Sequence, residues 1–146
     1  MTTIERAQAF YAQGYSCSQS VLGAFAEGYG LNLTQALRIA AAFGGGITRT
    51  GQICGAASGA IMVLGLAEAS LDPADKAAKE RLYLRGQEFL SQFQSRFGAL
   101  ECKNLLGLDI SSPLYLQQAR DKGLFESICP GLVSGSVQIL EELLAS

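Results

Sequence analysis

No stretch of five or more residues in this chain alternates cleanly between polar and apolar side chains, so no segment is patterned as a half-buried strand. Helical spacing recurs instead, punctuated by caps and stops. Thr2 and Glu5 can form a capping box for a helix carrying Ile4, Ala7, Phe10 and Tyr11, ended by Gly14. Ser16 and Gln19 can form a second box for a helix with Val21, Leu22, Phe25 and Tyr29 on one face, closed by Gly30. Asn32 or Thr34 starts a third, with Leu33, Ala36, Leu37 and Ala40 inward, which runs into Gly44, Gly45 and Gly46. A fourth covers roughly residues 52 to 69. Asp72, with Pro73 at the first helical position, opens the longest, about 73 to 97, where Leu82, Phe89, Leu90, Phe93 and Phe97 recur at helical spacing. Short helices follow near 101–106 and 113–122, and the last begins at Cys129 and Pro130, with Val133, Val137, Leu140 and Leu144 on one stripe. The pattern predicts an all-α fold: one domain over residues 1–146, a helical bundle of about seven to eight helices.

A chain of 146 residues can bury a core of ordinary size without metals or disulfides as staples, so its four cysteines are not needed for folding. Net charge is −2, with Lys and Arg scattered, which argues against nucleic acid and against a polybasic membrane anchor. The first residues are polar and amphipathic, unlike a signal peptide, and the longest apolar run, Cys54 to Ala67, is short for a membrane span. A cytoplasmic protein without membrane insertion is expected. In that reducing compartment cysteines more often bind metals, catalyse or pack than form permanent disulfides. The chain has no histidine. Ser-His-Asp and Cys-His pairs, His-bearing zinc sites and His-ligated haem are therefore excluded as built from this chain. Sulfur is the candidate reactive atom.

Cys17, Cys54, Cys102 and Cys129 are separated by 37, 48 and 27 residues, so there is no CxxC pair and no local ferredoxin or zinc-ribbon run. The helix pattern places all four at helix N-termini: Cys17 after the cap Ser16, Cys54 in a first turn, Cys102 opening a short helix, and Cys129 before Pro130. Unpaired first-turn amides and the helix dipole favour thiolate there. If those helix starts converge, four anionic sulfurs meet at one point, as a cluster or metal requires. Gly55 with Gly59 and Ala56 with Ala60 give one helix a flat face for close backbone approach. Gly44, Gly45, Gly46 and Gly51 allow a tight turn into Cys54, with exposed amides that can tune sulfur. Other features point to structure. The "FGGG" stretch is not a phosphate loop, Ser58 lacks GxSxG spacing and a base, and the Phe89, Phe93 and Phe97 stripe belongs to the core. Arg38, Arg49 and Lys103 read as solvated, with Arg49 and Lys103 near enough to cysteines in sequence to compensate thiolate charge.

These residues together resemble a family. Cys17, the segment "FGGGITRTGQICGAASGAIMVLGL", the segment "ECKNLLG" with Cys102, and the final "CPGLV" with Cys129 look like the pattern of the C_GCAxxG_C_C family of redox-active proteins. Ile53 stands where the family name has a Gly-Cys pair, so the motif reads ICGAASG. The resemblance implies redox activity through the four cysteines. The family is also similar to a region of split-Soret cytochromes c, which carry haem and an iron–sulfur centre. The haem part does not carry over, because this chain lacks CxxCH. The cluster part maps onto Cys17, Cys54, Cys102 and Cys129. Three readings follow. In the first, the four thiolates bind an iron–sulfur cluster or other metal for electron transfer or redox sensing, with a redox partner protein. In the second, the protein is a dithiol/disulfide oxidoreductase with Cys54, expected to be the most open, as attacking thiolate. In the third, the cysteines are inert and buried in a structural or interaction module. A homodimer is compatible with the small-residue face.

Overall fold

The computed structural model describes residues 1–146 as a helical bundle without β-strands. In chain order the helices are α1 (Thr3–Ala12), α2 (Cys17–Ala26), α3 (Leu33–Ala40), α4 (Gly44–Ile47), α5 (Gly55–Glu68), α6 (Lys76–Phe97), α7 (Cys102–Leu106), α8 (Pro113–Asp121), α9 (Leu124–Ser127) and α10 (Cys129–Ala145). α9 is a single turn and α4 a short segment with left-handed backbone at Gly45, Gly46 and Ile47, which leaves eight longer helices. The all-α bundle expected from the spacing is the fold observed.

The caps explain most of the boundaries. Thr2 Oγ1 accepts from the Glu5 amide at 3.1 Å while Glu5 Oε1 accepts from the Thr2 amide at 3.3 Å, and Ser16 with Gln19 repeats the reciprocal pair at the start of α2. Asn32 caps α3 through the Gln35 amide at 3.1 Å. Helix α6 opens later than Pro73 suggests. Asp75 is its cap, accepting from Ala78, whereas the Asp72 carboxylate accepts from Ala74 in a separate turn ahead of the helix. The early part of the expected fourth helix is not helical, because Ile53 forms an antiparallel bridge with Glu101. Tyr29, expected on the inner face of α2, lies in a following 3-10 turn and is 41% exposed.

α2, α5 and α10 form the centre of the bundle, with Val21, Leu22, Val63, Leu64, Val133, Val137 and Leu140 fully or almost fully buried. Phe89 and Phe93 of α6 close one side of this core, as their spacing predicted. The segment Leu124–Ala145 is long and apolar enough to cross a membrane by length and composition, and half of that window is buried in the bundle. Gly55 and Gly59 of α5 face the backbone of Ser18 in α2, where an added Cβ would come within 3.1 Å and 2.8 Å of main-chain atoms. The small-residue face thus lets two helix backbones touch.

One core group is unsatisfied. Ser136 of α10 is fully buried and its hydroxyl has no hydrogen-bond partner. Such an orphan costs about 1–3 kcal/mol, so Ser136→Ala is expected to leave stability unchanged or raise it by about 1 kcal/mol. Urea denaturation of the two proteins checks this. A clear loss on substitution would mean that the hydroxyl is satisfied in solution.

Candidate functional site

The four cysteines lie at helix beginnings that open onto one cavity. Cys17, Cys102 and Cys129 are the first residues of α2, α7 and α10, and Cys54 is the residue that caps α5. All four line one cavity of about 940 Å³. Four local devices bring these distant segments together. The first is the contact of Gly55 and Gly59 with Ser18, which sets the start of α2 against the start of α5. The second is the Ile53–Glu101 bridge, in which the Cys54 amide donates to Leu100 O at 2.8 Å and the Cys102 amide to Gln52 O at 2.7 Å. Both cysteines flank the bridged pair, so both project from the same face of that short ladder. The third is Gly46, whose missing Cβ makes room for the Cys102 Cβ and the Gln52 backbone. The fourth ties α1 to the approach of α10: Tyr11 Oη donates to Phe125 O at 2.7 Å, and Gln8 Nε2 donates to Pro130 O at 3.0 Å and to Ser134 Oγ.

The glycine run does more than turn tightly. Gly45, Gly46, Ile47, Thr48 and Arg49 all have positive φ, at 69°, 69°, 65°, 52° and 61°. Five consecutive residues therefore coil with the left-handed sense, and three of them carry a Cβ. Each L-residue in that conformation costs roughly 1–2 kcal/mol, and β-branched residues adopt it least readily. Hydrogen bonds hold the segment: Thr48 N to Ala42 O at 2.8 Å, Gln52 N to Gly46 O at 2.9 Å, and the Thr50 hydroxyl to Gly46 O at 2.8 Å. Gly44, Gly45, Thr48 and Arg49 all line the cysteine cavity, so the strain is stored at the site. The glycines signalled a turn in the sequence. Nothing signalled that Ile47, Thr48 and Arg49 would share their hand.

Burial and mutual repulsion set the protonation of the sulfurs. The Cys54 thiol is pushed up to about 11 by burial, a shift opposed by the amides of Ala56 and Ala57 and reinforced by Cys129. Cys102 is pushed up to about 12 by burial and by Cys54 and Cys129. A polar interaction links the Cys17 thiol to the Cys129 sulfur. It is the main reason that Cys17 is held well above the usual thiol range and Cys129 below it, with burial adding to the rise at Cys17 and Tyr11 adding to the fall at Cys129. The Tyr11 hydroxyl is itself raised by burial and by the neighbouring sulfurs. The expectation that Cys54 is the most open cysteine is overturned: it is 4% exposed and held as thiol, and the thiolate-favouring environment belongs to Cys129. Sequence placed both sulfurs at helix starts. It could not show that burial at Cys54 outweighs the first-turn amides.

A raised thiol pKa contributes stability that is complete below the unfolded value near 9 and disappears as pH rises through the folded value. In the reduced, metal-free protein, stability is therefore expected to fall between about pH 9 and 11 by about 2–3 kcal/mol on account of Cys54. Urea midpoints across that range measure it, and a flat profile would contradict the burial of the thiol.

Of the cations near cysteines in sequence, Arg49 lines the cavity, whereas Lys103 is paired with Glu101 at 3.6 Å and does not. The small-residue face of α5 is occupied within the chain, so the idea of a homodimer draws no support from it. Sequence reasoning missed Tyr11, whose place on an apolar helix face gave no sign that its hydroxyl would reach the Cys17–Cys129 pair. No group of three or more Cys, Asp or Glu side chains is gathered closely enough to hold a single metal ion.

An all-helical bundle with four thiols around one cavity defines a class of four-cysteine helical protein. A family model described as "Putative redox-active protein (C_GCAxxG_C_C)" matches residues 15–143, and the chain belongs to this family. Neither a curated protein nor a solved structure matches it.

Proposed function

We propose that Cys17, Cys54, Cys102 and Cys129 together hold an iron–sulfur cluster, through which the protein carries or senses electrons. The observation that carries this reading is that four sulfurs, far apart in the chain, line one cavity at four helix beginnings. The donor set is soft and uniform, thiols without imidazole, which suits iron–sulfur chemistry. A single tetrahedral zinc at 2.3 Å from each sulfur would need the sulfurs within roughly 4 Å of one another, and no such grouping is present. Sulfurs spaced around an open cavity suit a centre of several atoms. When bound, such a centre supplies one-electron transfer at a potential set by burial and by hydrogen bonds to sulfur. This chain contributes those terms through the amides of Ala56 and Ala57 near Cys54 and through burial, nearly complete at Cys54 and Cys129 and partial at Cys17 and Cys102. Anaerobic purification followed by iron, sulfide and visible-absorption analysis tests the assignment. Bound iron and sulfide, lost on changing any one cysteine to serine, are expected. A colourless protein that cannot be reconstituted overturns it.

A second reading rests on Cys17 and Cys129 facing the same cavity, with Cys129 the sulfur held below the usual thiol range and Cys17 held above it. Here Cys129, rather than Cys54, attacks a substrate disulfide, forming a mixed disulfide and releasing one substrate thiolate. Cys17 loses its proton and attacks Cys129 Sγ, releasing the second substrate thiolate and leaving a Cys17–Cys129 disulfide, so two electrons pass from protein to substrate. In the reduced, metal-free protein near pH 7, iodoacetamide is expected to label Cys129 before Cys54, as read by peptide mass mapping. The reverse order would return the attacking role to Cys54.

A further inference from the structure

We propose that the cysteine cavity also binds a small organic anion, gripped at its rim by Arg49 and Arg120. The cavity, at about 940 Å³, falls within the range of small-molecule sites, roughly 300–1,000 Å³. Its walls are mainly apolar, with Ile110, Leu116 and Phe125 among them, and its only charged residues are Arg49, Arg120 and Glu126. Neither arginine is committed elsewhere. The two ion pairs of the molecule are Arg85 with Glu68 and Lys103 with Glu101, and the arginines that donate hydrogen bonds to protein groups are Arg6, Arg85 and Arg96. Arg38 and Arg81 are also free of such bonds, but they do not line the cavity.

Arg49 is placed there at a cost. It is the last residue of the left-handed coil, at φ 61°, and its stem lies against Gly45, where an added Cβ would come within 2.7 Å of Arg49 Cγ. A merely solvated arginine needs no strained backbone and no glycine cleared beneath it. Two exposed guanidiniums bordering the same cavity offer planar forks that match a carboxylate or a phosphate head group. Glu126, an exposed lining residue, disfavours a second negative charge, and the apolar lining favours a hydrocarbon body. The ligand class is therefore a singly headed anion with an apolar tail. The inference rests on the redox reading above only in making that anion a substrate of the sulfurs; the binding itself stands on the cavity and the arginines.

Calorimetric titration of the anaerobically prepared protein with hexanoate, hexyl phosphate and 1-hexanol tests it. Saturable binding of hexanoate or hexyl phosphate is expected, with 1-hexanol at least about tenfold weaker. Arg49→Gln and Arg120→Gln should each weaken the anion about tenfold, and Arg49→Lys should weaken it less, with iron content and visible spectrum unchanged. Whichever of the two anions binds tighter identifies the head group. Absence of saturable anion binding, equal affinity for 1-hexanol, or arginine variants that shift only the reduction potential would overturn the proposal. Retention of the chain by an acidic protein without small-anion binding would also overturn it. Arg-dependent anion binding by protein that never takes up iron would sink the cluster reading and keep this one, and iron without anion binding would do the opposite.

Discussion

Gly46→Ala is expected to cost about 2–5 kcal/mol and to remove Cys102 from its place beside the other sulfurs. Two effects add. Gly46 sits at φ 69°, where alanine loses roughly 1–2 kcal/mol. Its new Cβ would lie 2.6 Å from both N and O of Gln52 and 2.8 Å from the Cys102 Cβ. Two of those atoms are backbone and cannot rotate away, so relief requires moving the strand-like step that pairs with Glu101. That step carries the hydrogen bond from the Cys102 amide to Gln52 O. A drop in melting temperature of about 5–15 °C is expected for a chain of this size, together with faster alkylation of Cys102. Unchanged stability with unchanged cysteine reactivity would show that the left-handed coil is not held in solution.

The second large effect is at the contact between α2 and α5. A Cβ at Gly59 would meet Ser18 O at 2.8 Å and Ser18 Cα at 3.2 Å, so Gly59→Val is expected to push the two helices apart and cost about 3 kcal/mol or more. Cys17 precedes Ser18, and the separation would carry it away from Cys54. Gly65, on the same helix, supplies the contrast. Nothing lies within 4 Å of its added Cβ, so Gly65→Ala is expected to gain up to about 1 kcal/mol from helix propensity. Opposite signs for two glycines of one helix separate close packing from propensity. Two losses of similar size would refute the packing argument.

These contrasts show what the sequence made legible. Capping boxes at Thr2 and Ser16 and the stripe of Phe89 and Phe93 announced helices whose inner faces could be read directly, because those signals are local and repeat at helical spacing. The placement of all four cysteines at helix starts was legible for the same reason. The small residues around Cys54 announced a close backbone approach, and Ser18 is what approaches. What could not be read arises from long-range terms. The Ile53–Glu101 bridge joins segments with no strand pattern. The left-handed coil continues through β-branched residues that prefer other conformations alone. The pairing of Cys17 with Cys129, and hence which sulfur gains thiolate character, depends on burial and neighbours that only the folded chain supplies.

The bridge between Ile53 and Glu101 has a kinetic consequence. It fastens two cysteines 48 positions apart, with the α5–α6 hairpin looped out between them. Closing so long a loop is entropically slow compared with winding the helices themselves, which draw on near neighbours. During refolding, far-ultraviolet ellipticity should recover first and protection of the thiols from a chromogenic disulfide last. No fragment lacking either end of the bridge should reproduce that late phase.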